Sequence, residues 1–371
     1  MKNTVVEFIW SLNDGGAETL VKDYALLLDR ERFDVKVLAV RPYPNTANTR
    51  TLKEKGIDVR YIYPRWNAAV LAFNKFFGKY YRPYRILRYL KEMKASAVHI
   101  HLQQLQEFAP ISDQLKGISL FYTCHNLPDK MFSHPHEAEQ RAAEHLIRNN
   151  GLRLIALHDA MGRELNQRFG IANTAVIRNG IQMDRFNQVT EDPAAIRRGE
   201  GIPADAFVVG HVGRFNRQKN HVFLLEVFEK ICRRRSDAFL LLIGDGELRE
   251  SVKAMAAEKG ISDRVKILSN RTDIPRLMKA MDLFLFPSVY EGLGIALIEA
   301  QTAGLRCIVS DAVPKEAFRT PLAVPVSLEE SADRWAQIAL DRGISGPYSS
   351  GLDAYDMRKE IKRLEALYLG E

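Results

Sequence analysis

The chain has 371 residues, 46% apolar and 27% charged, with 53 Lys and Arg against 46 Asp and Glu and a net charge of +7. That length accommodates two domains, and the balance is ordinary for a soluble globular protein. Cys124, Cys232 and Cys307 are odd in number and far apart. They offer no disulfide framework or zinc spacing and suit a reducing cytoplasm.

Residues 1–10, MKNTVVEFIW, read as a first strand rather than a signal peptide, because Glu7 interrupts the apolar run and no cleavage-like site follows. No apolar run approaches the length that spans a bilayer. Strand-like runs then alternate with amphipathic stretches. Strands are expected at 4–10, 33–40, 57–62, 97–101, 120–124, 152–157 and 176–177, with helices at 17–29 and 137–148. A less regular polar piece covers 182–203. The alternation restarts with strands at 207–212, 239–243, 265–268, 283–286, 307–310 and 323–324, and a helix at 220–234. The pattern predicts two serial α/β units with parallel sheets, residues 1–182 and 183–352, and an amphipathic last helix within 353–371 crossing back onto the first.

The positive charge is localised. Residues 51–100 hold 11 Lys and Arg against Glu54, Asp58 and Glu92. Within 66–94, aromatics from Phe73 to Tyr89 alternate with Lys75, Lys79, Arg82, Arg85, Arg88 and Lys91. This composition fits an anionic membrane surface, where each basic residue contributes about 1 kcal/mol and aromatics settle at the interface. RNA binding by phosphate contacts and stacking, or packing on the parent domain, are the other readings.

Four stretches carry chemistry. The turn Asn13-Asp14-Gly15-Gly16 joins a strand to a helix and lets backbone N–H groups approach an anion. It lacks the G-x-G-x-x-G spacing, as does Gly244-Asp245-Gly246, so an NAD site is weakly supported. The turn at 213–219 places Arg214 and Lys219 where two cations neutralise a diphosphate. Residues 283–304 open as a strand, turn through Glu291, Gly292, Leu293 and Gly294, and continue as an apolar, mostly buried helix carrying Glu299. A carboxylate there needs donors such as a sugar diol. His99 and His101 share one strand face, and His134 and His136 flank Pro135. Neither pair has an acidic or thiol ligand at supporting spacing, so no metal site is expected. His125 follows a strand at the end where α/β sheets bind ligands. Cys124 points to the opposite face, which disfavours a Cys–His dyad.

The segments GGAE (15–18), HIH (99–101), TCHN (123–126), VIRNG (176–180), GRFNRQKN (213–220), GDGELRE (244–250) and EGLGIALIEA (291–300) occur in that order. Over nearly its whole length the chain resembles the family 4 retaining glycosyltransferases (glycosyl transferases group 1). The resemblance implies a GT-B fold, two Rossmann-like domains facing across a cleft. The first would be on the acceptor side, and the second would bind the nucleotide-sugar donor. It implies that Arg214 and Lys219 hold the diphosphate, that Glu299 binds the ribose hydroxyls and that Glu291 contacts the transferred sugar. Gly292, Leu293 and Gly294 would face phosphate, Arg271 and Ile274 would lie beside the base, and Gly15, Gly16 and Gly244 would approach the substrates. His125 would line the reaction centre. The implied reaction needs no cofactor or metal: a nucleotide sugar, with UDP-sugar favoured, reacts by front-face attack. The implied partners are a glycan or polyprenyl-linked acceptor and an anionic membrane at the inner face of the plasma membrane, with no nucleic acid. The loop at 312–316 lacks the glycines often found there, and 342–352 looks shortened. A GT-B sugar-nucleotide epimerase or a non-catalytic binding protein with a basic aromatic surface are the competing classes.

Overall fold

The computed structural model describes residues 2–13, 15–43, 46–341, 343, 346 and 351–371. Most of the shortened stretch at 342–352, and Asp14 of the first turn, lie outside the described residues. The chain forms two compact units, Met1–Asn179 with Arg358–Glu371, and Gly180–Met357.

The first unit is built on seven parallel strands: β1 (Asn3–Ile9), β2 (Phe33–Ala39), β3 (Asp58–Tyr61), β4 (Ala97–His101), β5 (Ser119–Thr123), β6 (Arg153–Ala156) and β7 (Ala175–Val176). Their spatial order is β3-β2-β1-β4-β5-β6-β7. The order reverses beside β1, so the chain leaves the sheet in opposite directions after β1 and β4 and leaves a crevice at their carboxyl ends. The register sets Glu7 beside His99 and His101 beside Thr123. Because side chains alternate along a strand, these polar groups share one face.

The last helix, Met357–Leu369, supplies matched polar groups to this unit. Glu365 accepts from the Asp29 N–H at 2.8 Å, and Glu360 accepts from the Arg178 N–H at 2.7 Å. Tyr368 lies between Phe33 and Phe121. The basic aromatic segment is one helix, Ala68–Met93, started by the Asn67 side chain on the Val70 N–H. Arg82 of this helix pairs with buried Glu107 at 2.7 Å, and Tyr81 stacks on Tyr63.

The second unit repeats the plan with β8 (Phe207–Val212), β9 (Ala238–Ile243), β10 (Val265–Leu268), β11 (Leu283–Phe286), β12 (Arg306–Ser310) and β13 (Ala323–Val326). Their order is β10-β9-β8-β11-β12-β13, again reversing beside the first strand. Phe228, Trp335 and Leu225 fill its core on one face of the sheet. The polar piece at 182–203 is more regular than its composition suggests. It holds the helix Pro193–Gly199, whose Arg197 reaches the Ala280 carbonyl and the Asp282 carboxylate, both at 2.9 Å. Arg197 and the single apolar side chain Ile196 are its buried residues, so no apolar periodicity marked it.

Gly244 and Gly246 explain the turn after β9. A Cβ on Gly244, at φ +150°, would fall on the Gly213 carbonyl oxygen, and one on Gly246 would fall on the Phe215 backbone. These glycines let the β9 turn pack directly against the loop that carries Arg214. Gly244→Ala should therefore lower stability by about 1–3 kcal/mol through strain alone and displace that loop. Thermal melting of the variant tests this, and an unchanged midpoint would refute the close packing.

Candidate active site

In the second unit, loops 213–219 and 287–294 leave the adjacent strands β8 and β11 at the order reversal. Asn216 caps the short turn Arg217–Lys219 by accepting from the Lys219 N–H at 3.2 Å. The Val289 N–H donates to the Gln218 carbonyl at 2.8 Å and ties the two loops together. Across this seam Lys219 Nζ donates to Glu291 Oε1 at 2.6 Å, and Gln218 Nε2 donates to Oε2 at 3.1 Å. The Lys219 ammonium also lies 4.7 Å from the Phe286 ring centroid. Both charged side chains are largely buried, at 13% and 7% exposure. Arg214 differs. Its side chain is 58% exposed, and its ion-pair partner, Glu247, is 3.9 Å away, so the guanidinium remains open to an anion.

Gly294, at φ +84°, starts the helix Ile295–Thr302 in a left-handed conformation that favours glycine. Gly292 and Leu293 are buried beside it. Glu299 is half-buried while Leu297, Ile298 and Ala300 around it are buried. It stands at the edge of the core, where a ligand can meet it, rather than within the core. Arg271 is engaged within the protein. It bonds Glu200 at 2.7 and 2.9 Å and Asp273 at 2.8 and 2.6 Å, so this position brings no free cation to a base. Ile274, half-buried, begins the next helix. Gln218 was not singled out from the sequence, since an uncharged amide in a basic turn carries no signal. Ser288 was missed too; its hydroxyl is buried with no protein partner, an orphan available to a ligand.

In the first unit, Gly15 and Gly16 begin the helix Gly16–Leu27 after β1. The loop is latched from outside: Thr46 donates to the Leu12 carbonyl at 2.6 Å and Asn48 to the Asn13 carbonyl at 2.8 Å. The Glu18 carboxylate folds back over Gly15, whereas a Cβ on Gly16 would meet nothing within 4 Å. No steric demand requires glycine at 16, which leaves room for a ligand's close approach.

The histidines assemble around an acid that sequence spacing did not reveal. Glu7, 92 positions from His99 in the chain, is completely buried beside it. The expectation that no acidic ligand supports His99 and His101 is therefore corrected. The parallel pairing of β1 with β4 supplies one. Donor atoms of Glu7, His99 and His101 lie within 4.8 Å of one another, as in a metal site. Each of those atoms is already hydrogen-bonded. His101 Nε2 meets Glu7 Oε2 at 2.7 Å, and His101 Nδ1 meets His125 Nε2 at 2.8 Å. His99 Nδ1 meets the Tyr368 hydroxyl at 2.6 Å, and its Nε2 meets Thr123 at 2.7 Å. Tyr368 donates to Glu7 Oε1 at 3.0 Å.

Burial, only partly opposed by the Tyr368 hydrogen bond, pushes the Glu7 carboxyl up to about 8. Burial pushes His101 down to about 3 and holds His99 and His125 well below the ordinary histidine range. Near neutrality the cluster is thus an acid and three neutral rings. Burial also raises the Cys124 thiol to about 12. Its Sγ points to the Asn126 carbonyl at 3.1 Å, so Cys124 is not a thiolate nucleophile. His134 pairs with Glu137 in an exposed loop at 3.1 Å.

The profile of glycosyl transferases group 1 matches residues 192–317, and that of glycosyltransferase family 4 matches residues 14–185. The two profiles together span most of the chain, which is a glycosyltransferase. EpsF of Bacillus subtilis (strain 168), which carries a glycosyltransferase name, is 29% identical over 90% of this chain and 86% of its own. An Escherichia coli enzyme is 28% identical over 61% of this chain and 60% of its own. It is named UDP-Gal:alpha-D-GlcNAc-diphosphoundecaprenol alpha-1,3-galactosyltransferase. The crystal structure of HepE from Anabaena with UDP-glucose superposes with a TM-score of 0.79 at 21% identity, covering 99% of each chain. That likeness shows the fold, GT-B. The profiles and relatives make the protein a sugar-transferring enzyme, and its fold is two Rossmann-like units.

The buried cluster makes a pH-dependent contribution to the transferase's stability. The unfolded chain binds more protons at the histidines up to their ordinary value of 6.5, so their contribution rises with pH to that point. The folded chain binds more at Glu7 between 4.5 and about 8, so that contribution falls as pH rises through this window. Glu7→Gln should remove the fall alone. Melting temperatures at pH 6.5 and 8.5 should differ less in the variant than in the parent, and equal differences would show that Glu7 is not protonated in the fold.

Proposed function

We propose that this transferase moves a sugar, with retention at the anomeric carbon, from a UDP-linked donor to a saccharide or lipid-linked glycan acceptor in polysaccharide or envelope assembly. The observation that carries the reading is the Lys219–Glu291 pair beside the open guanidinium of Arg214 at the strand reversal of the second sheet. Residues 183–352 act as the donor domain, and residues 1–182 with the last helix act as the acceptor side. The names of the Escherichia coli relative and of the HepE complex support a UDP-linked donor.

Breaking the bond between the anomeric carbon and the diphosphate builds negative charge on the leaving oxygen. Lys219 and Arg214 stabilise that charge without a metal, and preorganised charge of this kind acts most strongly where water is excluded. Gly292, Leu293 and Gly294 present backbone N–H groups at a helix start toward the phosphates. Glu291 is held by Lys219 and Gln218, so its charge is compensated. That suits an acceptor of sugar hydroxyls better than a nucleophile, and it favours front-face attack by the acceptor. Glu299 accepts from the ribose hydroxyls, the segment at 271–274 flanks the base, Gly15 and Gly16 approach the substrates, and His125 lines the reaction centre.

A separate observation supports a membrane partner. On the helix Ala68–Met93, Phe76, Phe77, Tyr80 and Tyr84 are 56–69% exposed. Exposed Lys75 and Lys79 lie among them. Tyr81 packs on Tyr63, and Phe73, itself 41% exposed, packs on both Tyr81 and Phe77. An anionic bilayer satisfies an apolar stripe and its cations together, so the enzyme works peripherally on such a surface. No helix among the described residues is long and apolar enough to cross a membrane.

Arg214→Ala is the clean test of the donor site, because an exposed side chain is worth within about 0.5 kcal/mol of stability. Turnover should fall about 10²–10³-fold, as on loss of one oxyanion-stabilising group, at unchanged melting temperature. Lys219→Ala should lose both activity and about 3–5 kcal/mol, since it leaves Glu291 buried without its cation. Glu299→Gln should weaken calorimetric binding of the UDP-sugar. Activity abolished by EDTA and restored by Mg²⁺ would overturn the metal-free reading. For the membrane, Phe76→Ser with Phe77→Ser and Tyr80→Ser should abolish co-sedimentation with phosphatidylglycerol vesicles while leaving the melting temperature in place. Equal sedimentation of parent and variant would exclude this helix as the contact.

A further inference from the structure

We propose that Glu7 and His101 are positioning residues for the transfer reaction, and that through a continuous hydrogen-bonded chain they decide whether His125 offers Nδ1 to a substrate oxygen as donor or acceptor. The inference rests on the reading that His125 lines the reaction centre. Its structural part stands on the first unit alone.

The chain runs from Glu7 Oε2 to His101 Nε2 at 2.7 Å, and from His101 Nδ1 to His125 Nε2 at 2.8 Å. A neutral imidazole carries one proton, so its two nitrogens play opposite parts. With Glu7 as the acid, its Oε2–H donates to His101 Nε2, and His101 Nδ1–H donates to His125 Nε2. His125 then bears its proton on Nδ1, the nitrogen that His101 does not engage, on a half-buried ring. With Glu7 as the carboxylate, His101 Nε2–H donates to Oε2, and His125 Nε2–H donates to His101 Nδ1. His125 Nδ1 then keeps a lone pair.

Passing from the first state to the second releases one proton from His125 Nδ1 to a substrate oxygen or to water. The His101 Nδ1 proton moves to His125 Nε2, and the Glu7 proton moves to His101 Nε2. One carboxylate forms, and both rings stay neutral throughout. Their burial demands that neutrality, because a charged ring is penalised away from water. Glu7 has no exposed surface, so its proton reaches solvent by way of the two rings.

The surroundings leave Glu7 as the group that changes charge. Tyr368 of the last helix faces Oε1 at 3.0 Å, and His99 of β4 stands 3.4 Å from Oε2. Tyr24 of the helix Gly16–Leu27 stacks on His99 at 5.9 Å. Asp23 on that helix and Glu360 on the last helix act on Tyr24 electrostatically. Burial holds Tyr24 and Tyr368 well above the ordinary tyrosine range and His99 well below the histidine range. Burial pushes the Glu7 carboxyl up to about 8. A purely structural network would fill core hydrogen bonds equally well and would have no consequence at His125 Nδ1.

The test is a pH series of long-range nitrogen–proton correlation spectra on the full chain, labelled with nitrogen-15 at histidine. The His125 signals are assigned by their loss in His125→Gln. In the parent, His125 should be the Nδ1–H tautomer at pH 6.5 and pass to the Nε2–H tautomer with a midpoint near 8. Glu7→Gln should hold the Nδ1–H tautomer throughout, because an amide N–H donates to His101 at every pH. Tyr368→Phe, which lies outside the relay, should keep the transition and move it upward. A parent tautomer indifferent to pH, or one that responds alike in Glu7→Gln, overturns the proposal. In transfer assays the parent's kcat/KM for the donor should fall about tenfold per pH unit above 8, and Glu7→Gln should flatten that limb. A tautomer that switches while the parent's kcat/KM crosses pH 8 without a limb would leave the relay standing and remove His125 from the reaction centre.

Discussion

Parallel strand pairing is the constraint from which the rest follows. A parallel sheet needs crossover helices on both faces, so its strands are buried on both sides and its free loops collect at the strand ends. In both units the strand order reverses beside the first strand, and the chemistry-bearing loops emerge on either side of that reversal. In the second unit these are the loops after β8 and β11. In the first they are those after β1 and β5, with β4 between them. Lys219 and Glu291 meet at 2.6 Å although 72 positions separate them in the chain. They meet because β8 and β11 are neighbours in the sheet.

Burial on both faces also explains the cost of polar residues in these strands. Glu7, His99, His101 and Thr123 all occupy one face of the first sheet, where an unpartnered polar atom would cost about 1–3 kcal/mol. The protein satisfies them with one another and with Tyr368 from the last helix. Tyr368 therefore anchors that helix by a polar bond as well as by its ring contacts with Phe33 and Phe121. Removing water lowers the local dielectric. The carboxyl is then held as an acid and the imidazoles as neutral rings.

Several features were legible from residue order alone. The strands at 97–101, 207–212, 265–268 and 283–286 were readable to the residue because short apolar runs are bounded by turn-forming or charged residues. The loops that carry Arg214, Lys219 and Glu291 were readable because glycine-bearing turns mark the ends of strands. Other features left weaker marks. The helix Pro193–Gly199 looked irregular because Arg197 and one apolar side chain, rather than an apolar stripe, anchor it. The glycines of Gly244-Asp245-Gly246 looked like a weak phosphate turn, yet packing against Gly213 and Phe215 is what requires them. Arg271, expected beside the base, is held by Glu200 and Asp273, partners that its position in the sequence does not show.

Sequence by itself determined what repeats locally: alternating strand and helix, two serial units, and the residue types at each strand end. These follow from periodicity and turn chemistry, which act over a few neighbouring positions. Only the tertiary structure decided which groups meet across the sheet, since register and strand order join residues tens to hundreds of positions apart. Glu7 shows the difference most clearly. In the sequence it is an acid that interrupts an apolar strand. In the fold it is a protonated carboxyl joined through His101 to His125, because β1 pairs with β4 and β4 pairs with β5.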